Sequence, residues 1–287
     1  MFNVNLIKKV SLILGITTTM MISSCSNGTK SETDKANLML TQAQELLKAN
    51  DYSNAIALID SLKNVYPTAI DVQRKALHLR IIVEEKIILR ETVSNDSLLA
   101  ISSAQKAKLE KNFTYVKTPD MVEGYYVMSS ANRNPLIQRT GIEARINEQN
   151  KMYIVSLLFG KSINHTRLSV TSGNGGSAAT QNVAYNGSTN YHFKNDGISN
   201  EMVTFRAEQC DTLCQFVTNN INANLKINFI GKSRHSMPLS NADKKMISDT
   251  YTYSVALQEL KSASGKKIYL ENKLKINQDQ IKRTAIK

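Results

Sequence analysis

The chain has 287 residues, of which 41% are hydrophobic, 21% charged and 6% aromatic, with 12 Gly, 4 Pro, 3 Cys and no Trp. These shares lie in the ordinary range for chains that fold around a core, and they exclude a disordered, collagen-like or disulfide-scaffold protein. Lys and Arg number 36 against 24 Asp and Glu, a net charge of +12; composition alone does not assign it to nucleic acid, an anionic cell surface or plain solubility.

Lys8 and Lys9 precede an uncharged run from Val10 to Ile22. At about 1.5 Å per residue that run makes about 20 Å of helix, short of a hydrocarbon core of about 30 Å. It reads as the h-region of a signal peptide. Ile22, Ser23, Ser24 and Cys25 follow it, and together they resemble the lipobox of bacterial lipoproteins. That resemblance implies a signal peptide over 1–24, diacylglycerol on the Cys25 thiol, acylation (palmitate) of the new amino group, and a lipidated tether over 25–35. Multiple acyl chains anchor stably where one holds marginally. Ser26 stands where an Asp marks inner-membrane retention in that family, so the resemblance favours an outer-membrane lipoprotein, facing either the periplasm or the cell surface. Nucleic acid drops out as a partner, and the membrane enters through the lipid.

Ser26 to Asp34 is small and polar, a flexible tether. Residues 36–118 then carry apolar residues at helical spacing, with no Gly and one Pro between Ala36 and Asn112. Leu38, Leu40, Ala43, Leu46 and Leu47 mark a first helix, and Ala55, Ile56, Leu58, Ile59 and Leu62 a second. Ala76 to Leu89 marks a third, and Leu98 to Leu109 a fourth, opened by Ser94 or Asn95 as cap. In the first pair, Ala43, Asn50, Tyr52, Ala55 and Pro67 resemble one tetratricopeptide repeat, with Asn50 where the family has Gly. Such repeats normally stack in several copies; a lone one implies a packing unit more than a peptide groove.

The pattern switches over 119–238. Gly124–Ser130, Gly141–Glu148, Lys151–Phe159, Arg167–Ser172, Thr180–Tyr185, Asn190–Phe193, Glu201–Glu208, Leu213–Asn219 and Asn224–Ile230 are short β-branched and aromatic segments separated by Asn- and Gly-rich turns. Ile142, Ala144 and Ile146 point one way, as do Leu225, Ile227 and Phe229, while Lys151–Phe159 is apolar on both faces. These segments predict an antiparallel sandwich or small barrel. Over 239–287 a long helix starts at Ser240, with Asp243 completing a capping box. It weakens at Ser262–Gly265, and residues past Asn277 fray. This last part holds 12 basic and 5 acidic residues among 232–287, a net +7. Lys244, Lys245, Lys266, Lys267, Lys273, Lys275, Lys282 and Arg283 lead that excess, which suits anionic headgroups or cell-wall polymers or simply a solvated helix face. The fold class expected is therefore α+β: an N-terminal helical bundle of one tetratricopeptide-like hairpin plus two helices, a β-sandwich or small barrel, and a long C-terminal helix.

Chemistry is sparse in the sequence. Cys210 and Cys214 bracket the junction of two expected strands, where a hairpin could bring their α-carbons to a disulfide's ~5.5 Å, and an oxidising compartment favours the bond. His78 reads as core, while His235 lies apart from the other histidines. Asn164, His165, Arg167, Tyr191 and His192 sit at strand starts after loops, positions that often bind. No metal spacing, nucleophile elbow, phosphate loop or dinucleotide motif occurs, so no cofactor or metal is expected. The order of parts is similar to uncharacterised lipoproteins of Gram-negative gut-type bacteria, a resemblance that implies architecture and no activity. Function is accordingly expected to be non-enzymatic: an envelope binding or scaffold protein whose partner is another envelope protein or an anionic cell-wall polymer. The alternative is a glycan-binding β-sandwich module, with Tyr125, Tyr126, Tyr153, Tyr185 and Tyr191 as stacking platforms, and a hydrolase ranks third.

Overall fold

The computed structural model describes residues 31–132, 136 and 138–285; the expected signal peptide and Cys25 lie outside the described residues. Two compact units divide between Arg80 and Ile81.

In the first unit, helix α1 (Glu32–Lys48) opens on a capping box. Ser31 Oγ accepts from the Asp34 N–H, and the Asp34 carboxylate accepts from the Ser31 N–H. The helix thus starts inside the stretch expected as tether, because Ser-x-x-Asp satisfies two N–H groups that a first turn leaves free. Asn50 then takes φ 60°, the left-handed turn that Gly supplies in tetratricopeptide repeats and that Asn tolerates better than most residues. Asp51 caps α2 (Tyr52–Val65). Ala36, Leu40 and Ala43 face Ala55, Ile59 and Leu62 across a buried seam of small and branched side chains.

Helix α3 runs unbroken from Ile70 to Leu109, so the expected third and fourth helices are one. Asn95, read as a cap, lies inside it and is buried. Its partner is α6 (Asn241–Thr284). Ile81, Ile88, Asn95, Ser102 and Leu109 recur every seventh residue and are all buried; Ala256, Ala263, Leu270 and Asn277 do the same on α6. One buried position in every seven keeps a single narrow stripe of each helix turned toward the other. The pairs fix an antiparallel register: Asn277 Nδ2 donates to Ile81 O (3.1 Å), Asn95 Nδ2 to Ala263 O (2.9 Å) and Ser102 Oγ to Glu259 Oε2 (2.7 Å). From Ile81 to Leu109 this arm is about 43 Å long at about 1.5 Å per residue. With packing on one side, α6 passes through Ser262–Gly265 without a break and stays helical to Thr284, where fraying was expected past Asn277. Gly265 faces open space. Ser240 and Asp243 form the expected capping box.

The β-domain has two antiparallel sheets. One has the order β1 (Phe113–Val116), β2 (Tyr125–Met128), β3 (Gly141–Asn147), β4 (Met152–Phe159), β8 (Ile198–Phe205), β7 (Asn190–Asn195); the other has β10 (Arg234–Pro238), β9 (Leu225–Ile230), β5 (Arg167–Ser172), β6 (Ser177–Ala179). A one-turn helix α4 (Ser129–Asn132) follows β2. One core joins both sheets with α5 (Ala207–Asn219) and α6 through Ile142, Ala144, Ile154, Leu158, Leu168, Val170, Val203, Phe205, Ile227, Phe229 and Ile247. The α+β class with two antiparallel sheets and a long final helix is as expected. So are the inward sets Ile142/Ala144/Ile146 and Leu225/Ile227/Phe229, and β4 buried on both faces.

Several segments differ from what the sequence predicts. Leu213–Asn219 is helix, part of α5, because Cys210, Leu213, Cys214 and Val217 are buried at spacings of three and four, a helical stripe. Thr180–Tyr185 is a loop after the short β6, and β1 and β10 are additional strands. With α5 in place of a hairpin, the disulfide falls away. Cys210 and Cys214 are free, buried thiols one helical turn apart, and burial together with the Cys210 contact pushes the Cys214 thiol pKa up, which makes it inert. No helix among the described residues is long and apolar enough to cross a membrane.

Candidate functional site

Ser156 sits mid-way along β4, paired with Ile142 of β3 on one side and Val203 of β8 on the other. Glu201 faces the core from β8, in line with Val203 and Phe205, and pairs with Leu158. Between them lies the loop from β4 to β5, which carries Asn164 and His165. Ser156, His165 and Glu201 are all enclosed, at 0%, 0% and 1% exposure.

A carboxylate on a core face has to be paired, and this one is. Glu201 Oε1 accepts from the Asn164 N–H (2.6 Å), and Oε2 accepts from the His165 N–H (2.8 Å) and from His165 Nδ1 (2.8 Å). His165 Nε2 is 2.9 Å from Ser156 Oγ. With Nδ1–H donated to the carboxylate, Nε2 is an acceptor facing the Ser156 hydroxyl, which also lies 3.2 Å from Val203 O. Phe229 meets the imidazole edge-on at 5.5 Å. Burial holds the His165 pKa below its ordinary value, outweighing the pull of Glu201. Burial alone would raise Glu201, but the His165 N–H, the imidazole and the Asn164 N–H together bring it below the usual carboxylate range. The network is thus a neutral imidazole clamped to an ionised carboxylate.

The loop is held as tightly from outside. Asn164 adopts φ 54°, a left-handed turn that its bond to Glu201 stabilises. Lys232 N–H donates to Ile163 O (2.7 Å) and Thr166 N–H to Ile230 O (2.9 Å). Gly231 lies so close that a Cβ there would fall 2.3 Å from Ile163 O and 2.5 Å from Asn164 O; no larger residue fits without moving backbone.

Above the clamp, Asn164, Thr166, Tyr185, Asn190 and His192 line a cavity of about 340 Å³. Asn190 is fully buried. Its Nδ2 bridges Val183 O (2.7 Å) and His165 O (3.2 Å), while its enclosed Oδ1 has no partner among the described residues. The Tyr185 ring leans on His192, with centroids 5.0 Å apart and planes at 49°.

Of the five residues expected to bind, the fold brings Asn164 and His192 to this cavity and seals His165 beneath it. Arg167 turns away to donate to Thr180 O, and the Tyr191 hydroxyl donates to Met202 Sδ. Among the five tyrosines offered as platforms, Tyr185 is 62% exposed, whereas Tyr125 lies under the Arg145 guanidinium at 4.1 Å and Tyr126 leans on Tyr115. Ser156, Glu201 and Asn190 were missed. The available signal was parity: Glu201 shares a strand face with Val203 and Phe205, and a charge at such a position calls for a buried partner.

Larger cavities carry less. One of about 680 Å³ includes Lys151 and Glu208, which pair with each other at 3.1 Å, and one of about 480 Å³ lies on the first unit, beside Ile59, Leu62, Ile70 and Leu77. The basic C-terminal part is also partly spent within the molecule: Lys244 Nζ donates to Ala223 O, Lys245 pairs with Asp249, Lys266 with Glu91, Lys267 with Asp96, and Lys282 with Asp279. No cluster of three or more His, Cys, Asp or Glu that could hold a metal occurs among the described residues.

Compared with protein-family models, with curated proteins and with solved structures, the chain matches none of them.

Proposed function

We propose that this protein is a lipid-anchored envelope protein of the outer membrane that binds a partner without catalysing a reaction on it. The observation that carries the non-enzymatic part is the enclosure of Ser156, His165 and Glu201. Nucleophile, base and orienting acid in hydrogen-bonded order are the parts of an acyl-transfer relay. Such a relay works only with an approachable nucleophile and free N–H donors aimed at the developing oxyanion. Ser156 has neither, since its Oγ is buried within the sheet and the strand amides around it belong to the ladder with β3 and β8. What the relay does here is fix a loop, and that loop is one wall of the cavity. Lipid anchoring through Cys25 rests on the lipobox resemblance, and the polar-seamed helical arm offers a scaffold face to an envelope protein or cell-wall polymer.

The test has two arms. Metabolic labelling with an alkynyl palmitate should tag the wild-type chain and not Cys25→Ala. A fluorophosphonate probe, which labels activated serines, should leave the native protein unlabelled; labelling at Ser156 would overturn the non-enzymatic reading.

A further inference from the structure

We infer that the cavity over the histidine clamp is a seat for a single uncharged sugar ring. This rests on the binding reading above and names the ligand class of that site. At about 340 Å³ the cavity is at the small end of the about 300–1,000 Å³ typical of small-molecule sites. No carboxylate, ammonium or guanidinium lines it, so a phosphate, an amino acid or a uronic acid would find no charged partner there. The exposed wall is more apolar than polar yet carries two amides, a hydroxyl, an imidazole and one phenol ring, so it suits a ligand with both apolar faces and polar edges.

A neutral ring with hydroxyls around it and C–H groups on its faces uses each of these parts. Tyr185 supplies the aromatic face, steadied by His192 behind it, and a tyrosine gives large contact area with little rotamer entropy to lose. Asn190 forms a fixed floor: both its N–H groups are committed to Val183 O and His165 O, and its enclosed Oδ1 has no partner among the described residues. Asn164 and Thr166 at the rim can give or take hydrogen bonds with the ring hydroxyls.

The seat is assembled before any ligand arrives. Glu201 holds Asn164, the Val183 N–H donates to Thr166 O (2.8 Å), and Asn186 Oδ1 closes the loop beside Tyr185 by accepting from the Ser188, Thr189 and Asn190 N–H groups. A preorganised wall spares the ordering cost that weakens small ligands most.

The experiment uses the full chain in a detergent without a sugar headgroup. Glucose, galactose, mannose and N-acetylglucosamine, with glucuronic acid as the charged comparison, are screened by saturation-transfer NMR at about 10 mM, tenfold above a Kd of about 1 mM. At least one neutral sugar should show transfer and glucuronic acid should not. Tyr185→Ala should weaken binding about tenfold, the upper end of an aromatic contact, Tyr185→Phe should restore it, and Tyr191→Phe, away from the cavity, should leave it unchanged. Absence of transfer from every neutral sugar, or a Tyr185→Ala protein that binds as wild type, overturns the assignment. If Ser156 stays unlabelled by the serine probe while no sugar binds, the ligand class fails and the non-enzymatic reading stands; labelled Ser156 with bound sugar is the reverse.

Discussion

Replacing Glu201 by Gln tests whether the buried clamp holds the domain together. The carboxylate accepts three N–H groups in the native protein, at 2.6, 2.8 and 2.8 Å. A glutamine keeps one acceptor oxygen. In its better orientation that oxygen retains both His165 contacts and turns an N–H against the Asn164 N–H. One charge-assisted bond, about 1.5–3 kcal/mol, is lost and a buried donor is stranded for about 1–3 kcal/mol more, while relief from burying a charge offsets part of the sum. A net loss of about 3 kcal/mol is expected, roughly a hundredfold in the folding equilibrium. Urea unfolding followed by far-ultraviolet circular dichroism at pH 7 reads this directly. The pH dependence adds a second constraint. Glu201 is held below its unfolded pKa, so its contribution is complete above about pH 4.3 and fades as pH falls through the folded value. The wild-type protein should therefore lose its advantage over Glu201→Gln on acidification from pH 5 to 3. A loss under about 1 kcal/mol at pH 7, or a gap that does not narrow in acid, would refute the clamp.

Further consequences can be measured on the same protein. His165 is held below the usual histidine value by burial; its contribution is full above about pH 6.5 and declines below it, so wild-type stability should already fall between pH 6.5 and 5, and a flat profile there contradicts a neutral buried imidazole. Gly231→Ala drives a methyl against two carbonyl oxygens and should cost about 1–3 kcal/mol, with the loop amides of Asn164 and Thr166 shifting in NMR spectra. Iodoacetamide should modify Cys210 and Cys214 after denaturation and neither in the native state, and a reductant should leave their masses unchanged. Asn277→Leu removes a buried Oδ1 that has no partner among the described residues from a helix seam and should raise the melting temperature by about 2–4 °C; a lower one would show that the bond to Ile81 O outweighs the orphaned oxygen.

Residues whose burial follows from local period were legible in the sequence. Ile142, Ala144 and Ile146 alternate and lie inward; Ser240 and Asp243 cap a helix because their reach is three residues. Long-range effects were not legible. Asn95 looks like a cap until its amide is seen bonded to Ala263, 168 residues on, and the Ser262–Gly265 weakness disappears for the same reason, since tertiary packing overrides propensity. Leu213–Asn219 carries both a short apolar run and a helical stripe, and only the core behind Cys210, Leu213, Cys214 and Val217 decides between them. At the site, Asn164 and His192 are identifiable as loop-adjacent polar residues, but they become a cavity only through the register Leu158↔Glu201 and His192↔Glu201, which no local pattern carries.

The heptad arm sets an order of events during synthesis. α3 leaves the ribosome well over a hundred residues ahead of its α6 partner, and chains fold from the N-terminal side first. Through that interval its seam faces water. Asn95 and Ser102 keep the seam from becoming a continuous apolar stripe. Leu109 and Tyr253 share one buried cluster at the β-domain end of the arm, so once that cluster is in place the pairing of α3 with α6 is a zipping of two helices from a hinge and not a long loop closure. A chain halted before Asn241 would leave this half of α3 as a lone, half-dressed helix, the form a quality-control protease would meet.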